Sequence, residues 1–218
     1  MIDLEAVEVE RLLPDPGPSS VAGQLAGFDP AGDAGAERPH VYTNFAVTID
    51  GHASIDGRSG AIGSDTDTAM LVGLRMAAEA VMIGGGTMRA ERYGRIFTEP
   101  VRRAEREQRD LPPDPLVVLV SGRLDLPWDA ELFTGGGGRV IVCTASDADP
   151  PPTRTPVDVI RHPDGVDLVA LLAHLRVEEG VRALLCEGGP GLNEEMLSQG
   201  LVDEFFVTLG PLLSGGDG

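Results

Sequence analysis

The stretch Ala183-Leu184-Leu185-Cys186-Glu187-Gly188-Gly189-Pro190-Gly191 joins a short apolar run to a glycine-rich loop, and a helical pattern follows over about 191–199. An apolar run of this length, bounded by glycine, is typical of a strand buried on both faces. The same order of features occurs over 80–83, which is followed by Gly84-Gly85-Gly86-Thr87. Both stretches therefore predict strand-to-helix turns of an α/β fold.

Short apolar runs predict further strands on either side of these stretches, and apolar residues at the 3.6-residue period predict helices. The predicted strands cover 40–47, 80–83, 116–120, 140–143, 157–160, 184–186 and 204–209, and the predicted helices cover 64–78, 167–179 and 191–199. Strands that alternate with helices indicate a mainly parallel central sheet flanked by helices on both faces. Ligands of such sheets bind at the carboxyl ends of the strands, so the loops that follow them are the candidate site.

Residues 1–38 differ in composition from the rest of the chain, since they contain Pro14, Pro16 and Pro18, several glycines and scattered acids. This composition is typical of an extended arm, with one short helix expected between Leu4 and Leu13. The sequence therefore predicts an N-terminal arm over 1–38 and one α/β domain over 39–218.

The formal net charge of −18 limits the classes of partner that the protein can have. An acidic surface repels nucleic-acid phosphates and anionic membranes, so neither is expected as a partner. No window approaches the roughly 18 apolar residues of a membrane helix, and nothing resembles a signal peptide, so a cytoplasmic protein is expected. Cys143 and Cys186 each end an apolar run, which predicts buried thiols rather than a disulfide or a metal site.

The loops 84–87 and 187–191 have the composition of a phosphate-binding surface. Glycine lets the backbone approach a ligand closely, and the helix that follows offers unpaired N–H groups to a phosphate. Neither loop is a P-loop or a G-x-G-x-x-G fingerprint. Either loop alone is well explained as a tight turn, but two of them at the carboxyl edge of one sheet favour a dinucleotide phosphate cradle.

Asp50 and Arg75 are two further candidates, and each has an alternative explanation. Asp50 lies just after the first predicted strand and before Gly51, where a carboxylate either orients substrate and transfers protons or simply forms the turn. Arg75 lies in a helix of apolar and small residues, where it is either a clamp on a substrate phosphate or a surface arginine with a packed stem.

Together these stretches resemble the reductase domain of bacterial riboflavin biosynthesis, which has the dihydrofolate reductase-like fold. The resemblance rests on motifs that occur in the family's order over 39–216. They are Thr48-Ile49-Asp50-Gly51, the helical Arg75, Gly84 to Thr87, Glu187 to Pro190, Val202-Asp203-Glu204, and Pro211 with Gly215-Gly216.

The resemblance implies an NADPH-dependent reductase that converts a ribosylamino-pyrimidine 5-phosphate to its ribitylamino form, by hydride transfer to the sugar C1′. It implies cofactor contacts from Val47, Ala61, Gly84, Gly85, Gly86, Thr87, Glu91, Ser121, Gly188, Gly189, Pro190, Gly191 and Leu192. It implies substrate contacts from Asn44, Ser59, Arg75, Arg95 and Glu187, with Asp50 and Glu187 as the catalytic candidates and no metal. Such reductases commonly form homodimers, for which an exposed last strand around Phe205-Phe206-Val207 would be suited.

The sequence departs from the family pattern in places that bear on the substrate. Many members carry a lysine where Asn44 stands, and Ala-Asp-Asp-Pro where this chain has Ala90-Glu91-Arg92-Tyr93. Either Arg92 or Arg95 then replaces the arginine that grips the substrate phosphate. Relatives continue with one or two strands beyond the Pro211 motif, so the domain is expected to lack its last strands.

Two alternatives to this function stay open. One is a reductase of the same fold that acts on a dihydropteridine such as dihydrofolate, and the other is a nucleotide-binding module without activity. The presence of Arg75, Thr87 and Glu187 favours an enzyme, because a simple binder would not need substrate-side residues. The choice between NADPH and NADH is also open, since no arginine is clearly placed for a 2′-phosphate.

Overall fold

The computed structural model of the chain describes residues 2–55 and 62–215. In chain order the elements are β1 (Glu8–Arg11), β2 (Gly17–Ser20), α1 (Val21–Gln24), β3 (His40–Thr48), α2 (Asp65–Ala77), β4 (Ala80–Gly84), α3 (Gly85–Glu91), α4 (Pro100–Glu107), β5 (Leu116–Val120), α5 (Glu131–Thr134), β6 (Val140–Thr144), β7 (Val157–Arg161), α6 (Leu168–Val177), β8 (Ala183–Gly188), α7 (Pro190–Ser198) and β9 (Glu204–Gly210). None of these described helices has the length and apolar composition that crossing a membrane requires.

Seven strands of the described part of the chain form one sheet in the order β7-β6-β5-β4-β8-β3-β9, and every neighbouring pair in it is parallel. The predicted α/β architecture is confirmed, and each predicted strand is present with ends that differ by at most two residues. Because β4 and β8 are neighbours, with Ile83 opposite Gly188 at their carboxyl ends, the two predicted glycine loops lie side by side.

Helices cover both faces of the sheet, as predicted, because buried side chains alternate along each strand. On β4, Val81 and Ile83 belong to the core that includes Leu74 of α2. Ala80 and Met82 belong to the opposite core, which the buried residues of α6 and α7 complete. Cys143 and Cys186 are buried free thiols in this second core, as the sequence predicts.

The two long predicted helices begin at side-chain caps. The Ser64 hydroxyl accepts a hydrogen bond from the Asp67 N–H at 3.3 Å and starts α2. The Asp167 carboxylate accepts one from the Ala170 N–H at 2.9 Å and starts α6. A side-chain acceptor at this position satisfies one of the unpaired N–H groups of the first turn, which fixes where each helix begins.

The helix predicted between Leu4 and Leu13 is wrong. Residues of this segment form β1, which pairs antiparallel with β2, so the segment is a hairpin. Burial alternates residue by residue along β1, which is the period of a strand. The short helix of the N-terminal segment, α1, comes later, and the Ser20 hydroxyl caps it at 3.0 Å from the Gly23 N–H.

The N-terminal segment packs against the sheet rather than extending from it. The Phe28 ring lies edge-on to Tyr42 of β3 and to Phe206 of β9, with ring centroids 5.0 and 5.3 Å apart. Val21 is fully buried, and Leu25 packs against Gly73 on α2 so closely that a Cβ there would overlap it. The segment is therefore part of the hydrophobic core.

Helix α4, which the sequence patterns did not predict, contains the fully buried Arg106. Its Nη1 donates to the carbonyls of Arg75, Met76 and Ala78 at 3.0, 3.4 and 2.8 Å, and its Nε donates to Pro112 O at 2.8 Å. Carbonyls at the end of a helix have no partner within the helix. Arg106 therefore stabilises the last turn of α2, where Arg75 is located.

Candidate active site

A cavity of about 1060 Å³ opens at the carboxyl edge of β3, β4 and β8, and we call it the main cavity. This edge is where parallel sheets bind ligands. Its lining includes eight of the predicted site residues, namely Asn44, Val47, Gly86, Thr87, Glu91, Glu187, Gly189 and Pro190. Among the described residues, the charged side chains that line it are all acidic: Asp65, Asp67, Glu91, Glu187 and Glu194.

A second cavity of about 530 Å³, the glycine cavity, lies on the other side of the two glycine loops. Gly86, Thr87, Gly189 and Pro190 line both cavities. The predicted residues Gly84, Gly85, Gly191 and Leu192 also line the glycine cavity. An elongated ligand that crosses the shared loops would therefore occupy both cavities.

Gly85 and Gly189 are positions in these loops where the structure leaves no room for a larger residue. Gly189 has φ +119°, and a Cβ there would overlap the Thr87 hydroxyl. A Cβ on Gly85 would lie 3.0 Å from Ser121 Oγ. Helix α7 begins at Pro190 without a side-chain cap, so its first N–H groups are free for an anion. These features fit the pyrophosphate of a dinucleotide cofactor.

Arg75, Glu187 and Tyr93 form a hydrogen-bonded cluster beside the main cavity. Arg75 Nε and Nη2 donate to Glu187 Oε1 and Oε2 at 2.5 and 2.6 Å, and the Tyr93 hydroxyl donates to Oε2 at 2.9 Å. The Glu187 side chain is 3% exposed and that of Arg75 is 18% exposed. The Arg75 guanidinium also lies 5.9 Å from the centroid of the Tyr93 ring. The buried carboxylate is thus neutralised and held in one orientation.

A third cavity of about 320 Å³, the arginine cavity, adjoins this cluster, and Arg75, Arg92 and Arg95 line it. The predicted phosphate ligand Arg95 is bound to Asp114 by two hydrogen bonds at 2.6 and 2.5 Å, so one edge of its guanidinium is already occupied. Among the described residues, Arg92 forms one ion pair, to the highly exposed Asp129 at 2.7 Å, and this pair is open to solvent. Exposed pairs of this kind are weak and exchange readily. Arg92 is therefore the more available of the two.

Asn44 lies on β3 with its side chain mostly buried at the wall of the main cavity. Within the described part of the chain, its Oδ1 has no hydrogen-bond partner. An unpaired buried amide oxygen is unfavourable, and a ligand that pairs with the amide would relieve this. The structure thus places Asn44 at the wall of the main cavity, and its contact with a substrate stays a prediction.

Asp50, the other catalytic candidate, does not line any of the three cavities among the residues described. Its carboxylate accepts hydrogen bonds from the Thr48 hydroxyl at 2.5 Å and from the Ser214 and Gly215 N–H groups at 3.2 and 3.0 Å. The Thr48 hydroxyl and these N–H groups hold the pKa of the Asp50 carboxyl well below its usual range. The geometry favours the turn-forming explanation over proton transfer.

The remaining predicted residues fall into two groups. Gly188 and Ser121 do not line the cavities but support the glycine loops, because Gly188 O and Ser121 Oγ lie 3.1 and 3.0 Å from where a Cβ on Gly84 or Gly85 would be. Ser59 and Ala61 lie outside the described residues.

Tyr93 is the site residue that sequence reasoning missed. It stands at a position where the family motif carries proline, so the motif gave no signal for it. The turn that precedes it is visible only in the structure, where Arg92 is the left-handed C-cap of α3 with φ +49°.

Comparisons with known proteins identify the family of the chain. The sequence profile of the RibD C-terminal domain matches residues 39–218. The chain is 32% identical over 191 residues to the 2,5-diamino-6-ribosylamino-4(3H)-pyrimidinone 5′-phosphate reductase of Archaeoglobus fulgidus, covering 82% of this chain and 83% of that protein. It is 30% identical over 185 residues to the enzyme of the same name from Methanothermobacter thermautotrophicus, covering 82% and 81%.

A solved structure shows the same fold. The pyrimidine reductase-like protein of Corynebacterium diphtheriae superposes with a TM-score of 0.66 at 23% identity, over 80% of this chain and 75% of that one. The dihydrofolate reductase-like fold that the motifs implied is thereby confirmed. With the profile covering most of the chain and two named reductases at 30% identity or more, this chain belongs to the RibD C-terminal domain family.

Proposed function

We propose that the chain is an NADPH-dependent reductase that converts a ribosylamino-pyrimidine 5′-phosphate to its ribitylamino form. The observation that carries the proposal is that the main cavity opens both onto the paired glycine loops and onto the Arg75–Glu187–Tyr93 cluster. One wall suits a dinucleotide, and the other suits a polar substrate. The names of the two archaeal relatives supply the substrate class.

The glycine loops are the proposed cofactor site. NADPH supplies a hydride when it is bound, and the shared loop residues would hold its pyrophosphate between the main cavity and the glycine cavity. The free N–H groups at the start of α7 offset the repulsion of the acidic residues around the cavity. Thr87 would add a hydroxyl donor to the same group.

The substrate would place its pyrimidine in the main cavity and its phosphate in the arginine cavity. The main cavity repels a phosphate because its charged lining is acidic, whereas three arginines and one acid, Glu91, line the arginine cavity and favour a phosphate there. The exposed Arg92 is the proposed phosphate ligand, and Asn44 and Glu187 would bind polar groups of the pyrimidine and sugar. The protein then contributes mainly by fixing the sugar C1′ in the main cavity.

The test is to follow NADPH oxidation with the diaminopyrimidinone and the aminouracil ribosylamino phosphates, and with dihydrofolate. Turnover of a ribosylamino phosphate is the expected result, with a KM that Arg92→Ala raises at least tenfold and that Arg95→Ala leaves unchanged. Turnover of dihydrofolate alone would replace the proposed substrate and keep the reductase. NADPH binding without turnover of any of the three would leave a nucleotide-binding module.

We further propose a cytoplasmic homodimer formed through β9. This strand is at the edge of the sheet, and Phe205, Val207 and Leu209 are 44%, 52% and 62% exposed on it. Exposed apolar edge strands are suited to association. Light scattering should give twice the chain mass, and Val207→Asp should give the monomer, while Val169→Asp on the exposed face of α6 should not.

A further inference from the structure

We propose that Tyr93 determines substrate specificity by binding, together with Glu187, the sugar hydroxyl groups of a phosphorylated substrate. The inference rests on the proposed function, because it takes the substrate to be a phosphosugar derivative. It assigns a ligand group to a residue that the family motif does not contain.

The position of Tyr93 carries the first step. Tyr93 and Glu91 line both the main cavity and the arginine cavity, and Glu187 lies directly behind the Tyr93 hydroxyl at 2.9 Å. A ligand with an uncharged end in the main cavity and a phosphate in the arginine cavity must therefore pass Tyr93. In such a ligand the part between base and phosphate is the sugar.

The hydrogen-bonding capacity of the cluster carries the second step. A carboxylate offers about four acceptor sites, and Arg75 and Tyr93 occupy three of those on Glu187. Burial raises the pKa of the Tyr93 phenol well above its usual range, so it stays protonated and keeps donating to Glu187. The lone pairs of its oxygen and the last Glu187 site then remain as adjacent acceptors.

The charge of the cluster carries the third step. Because Arg75 neutralises Glu187, the acceptor sites on Tyr93 and Glu187 do not require a cationic ligand. An anion is also disfavoured, since it has no hydrogen to donate to them. Neutral O–H donors on neighbouring carbons match two adjacent acceptors. A site built to hydrogen-bond a hydroxyl strongly rejects the analogue that lacks it, because its buried polar groups are left unpaired.

The chain offers a matched control, since its second tyrosine, Tyr42, also makes one hydroxyl hydrogen bond. The Tyr42 hydroxyl donates to Leu74 O at 3.0 Å, away from the cavities. Tyr93→Phe and Tyr42→Phe therefore remove the same atom and one hydrogen bond each. Only the first removes it from the proposed sugar site.

The experiment measures binding of ribose 5-phosphate, and of its 2-deoxy and 3-deoxy analogues, by calorimetry in the presence of saturating NADPH. In the unchanged protein, at least one deoxy analogue should bind about tenfold more weakly than ribose 5-phosphate. Tyr93→Phe should weaken the binding of ribose 5-phosphate by a similar factor. In this variant ribose 5-phosphate and its deoxy analogues should bind with equal affinity. Tyr42→Phe should lower the melting temperature and leave all sugar affinities and the NADPH affinity unchanged.

Equal sugar discrimination in Tyr93→Phe and in the unchanged protein would overturn the proposal, as would the absence of ribose 5-phosphate binding. A purely structural role for Tyr93 would lower affinity for all three sugars alike, and this also contradicts the proposal. Turnover of the ribosylamino phosphates by the unchanged protein is measured separately. Absence of this turnover would reject the proposed function, while the binding data for the three sugars would still decide the role of Tyr93.

Discussion

Arg75 and Glu187 face each other as two parallel forks, with Nε to Oε1 at 2.5 Å and Nη2 to Oε2 at 2.6 Å, although 112 residues separate them in sequence. The pair joins α2 to the carboxyl end of β8 across the sheet. Both side chains are mostly buried. A bidentate pair of this kind fixes orientation as well as charge.

Removing one member of this pair should cost more than removing both. Arg75→Ala leaves the Glu187 carboxylate buried without its cation, so we expect a loss of about 3–5 kcal/mol in the free energy of unfolding. The double variant Arg75→Ala/Glu187→Ala should recover much of that loss but none of the activity. Urea unfolding and steady-state kinetics measure the two effects. Additive stability losses would contradict a coupled pair.

Gly189→Ala should weaken NADPH binding at least tenfold. The added Cβ overlaps the Thr87 hydroxyl, and φ +119° is a conformation that residues with a side chain rarely adopt. The loop must therefore shift out of its present path. Fluorescence titration with NADPH measures the change. Gly122→Ala is the control, since a Cβ there meets nothing within 4 Å, and unchanged NADPH binding in both variants would reject the cradle.

Asp50→Asn should leave the shape of the pH profile of kcat/KM unchanged between about pH 5 and 9. The pKa of Asp50 lies well below its usual range, so the carboxylate is ionised throughout this window and holds no proton to give. A profile that loses its acidic or basic limb in the variant would restore Asp50 as a catalytic group.

The same variant should flatten the dependence of stability on acid pH. A carboxyl whose pKa is lowered by folding stabilises the native state above its unfolded pKa of about 3.9, and this contribution is lost as the pH falls further toward the folded pKa. Urea unfolding between about pH 2 and 6 should therefore show a shallower fall for Asp50→Asn than for the unchanged protein.

Arg106→Leu should destabilise the protein by about 3 kcal/mol or more, because it removes the four hydrogen bonds that Arg106 donates to backbone carbonyls. Burial lowers the pKa of Arg106 to about 10, so the side chain is still a cation at neutral pH. The exposed neighbour Arg109 supplies the control, since Arg109→Ala removes one positive charge from a solvent-exposed position. Thermal unfolding measures both. A loss below about 1 kcal/mol for Arg106→Leu would contradict the capping role.

The sequence predicted the sheet well because its strands are continuous apolar runs. Buried parallel strands such as β5 and β6 need no alternation and are bounded by turn residues, so the periodicity signal is strong. The hairpin at Glu8–Arg11 was missed because its apolar residues are few and prolines flank it. Helix α4 was missed because its buried face is formed by the polar residue Arg106, which no hydrophobic pattern contains.

The sequence predicted the part of the candidate site that local patterns encode, and missed the part that depends on residues far apart in the chain. The glycine loops are local features, and the adjacency of β4 and β8 brings them together. The role of Asp50 depends on contacts with Ser214 and Gly215, more than 160 residues away, and these are invisible to a local motif. The occupation of Arg95 by Asp114 is equally a product of tertiary packing.

Phe28 shows that the hydrophobic core begins further toward the N-terminus than the sequence similarity to the family does. The family profile begins at residue 39, yet the Phe28 ring fills the space between Tyr42 and Phe206. A gene fusion or domain shuffle that joined a new partner at residue 39 would open this aromatic cluster to water. The transferable module of this reductase is therefore longer than its recognisable homology, and a modular enzyme built from it has to carry the upstream segment along.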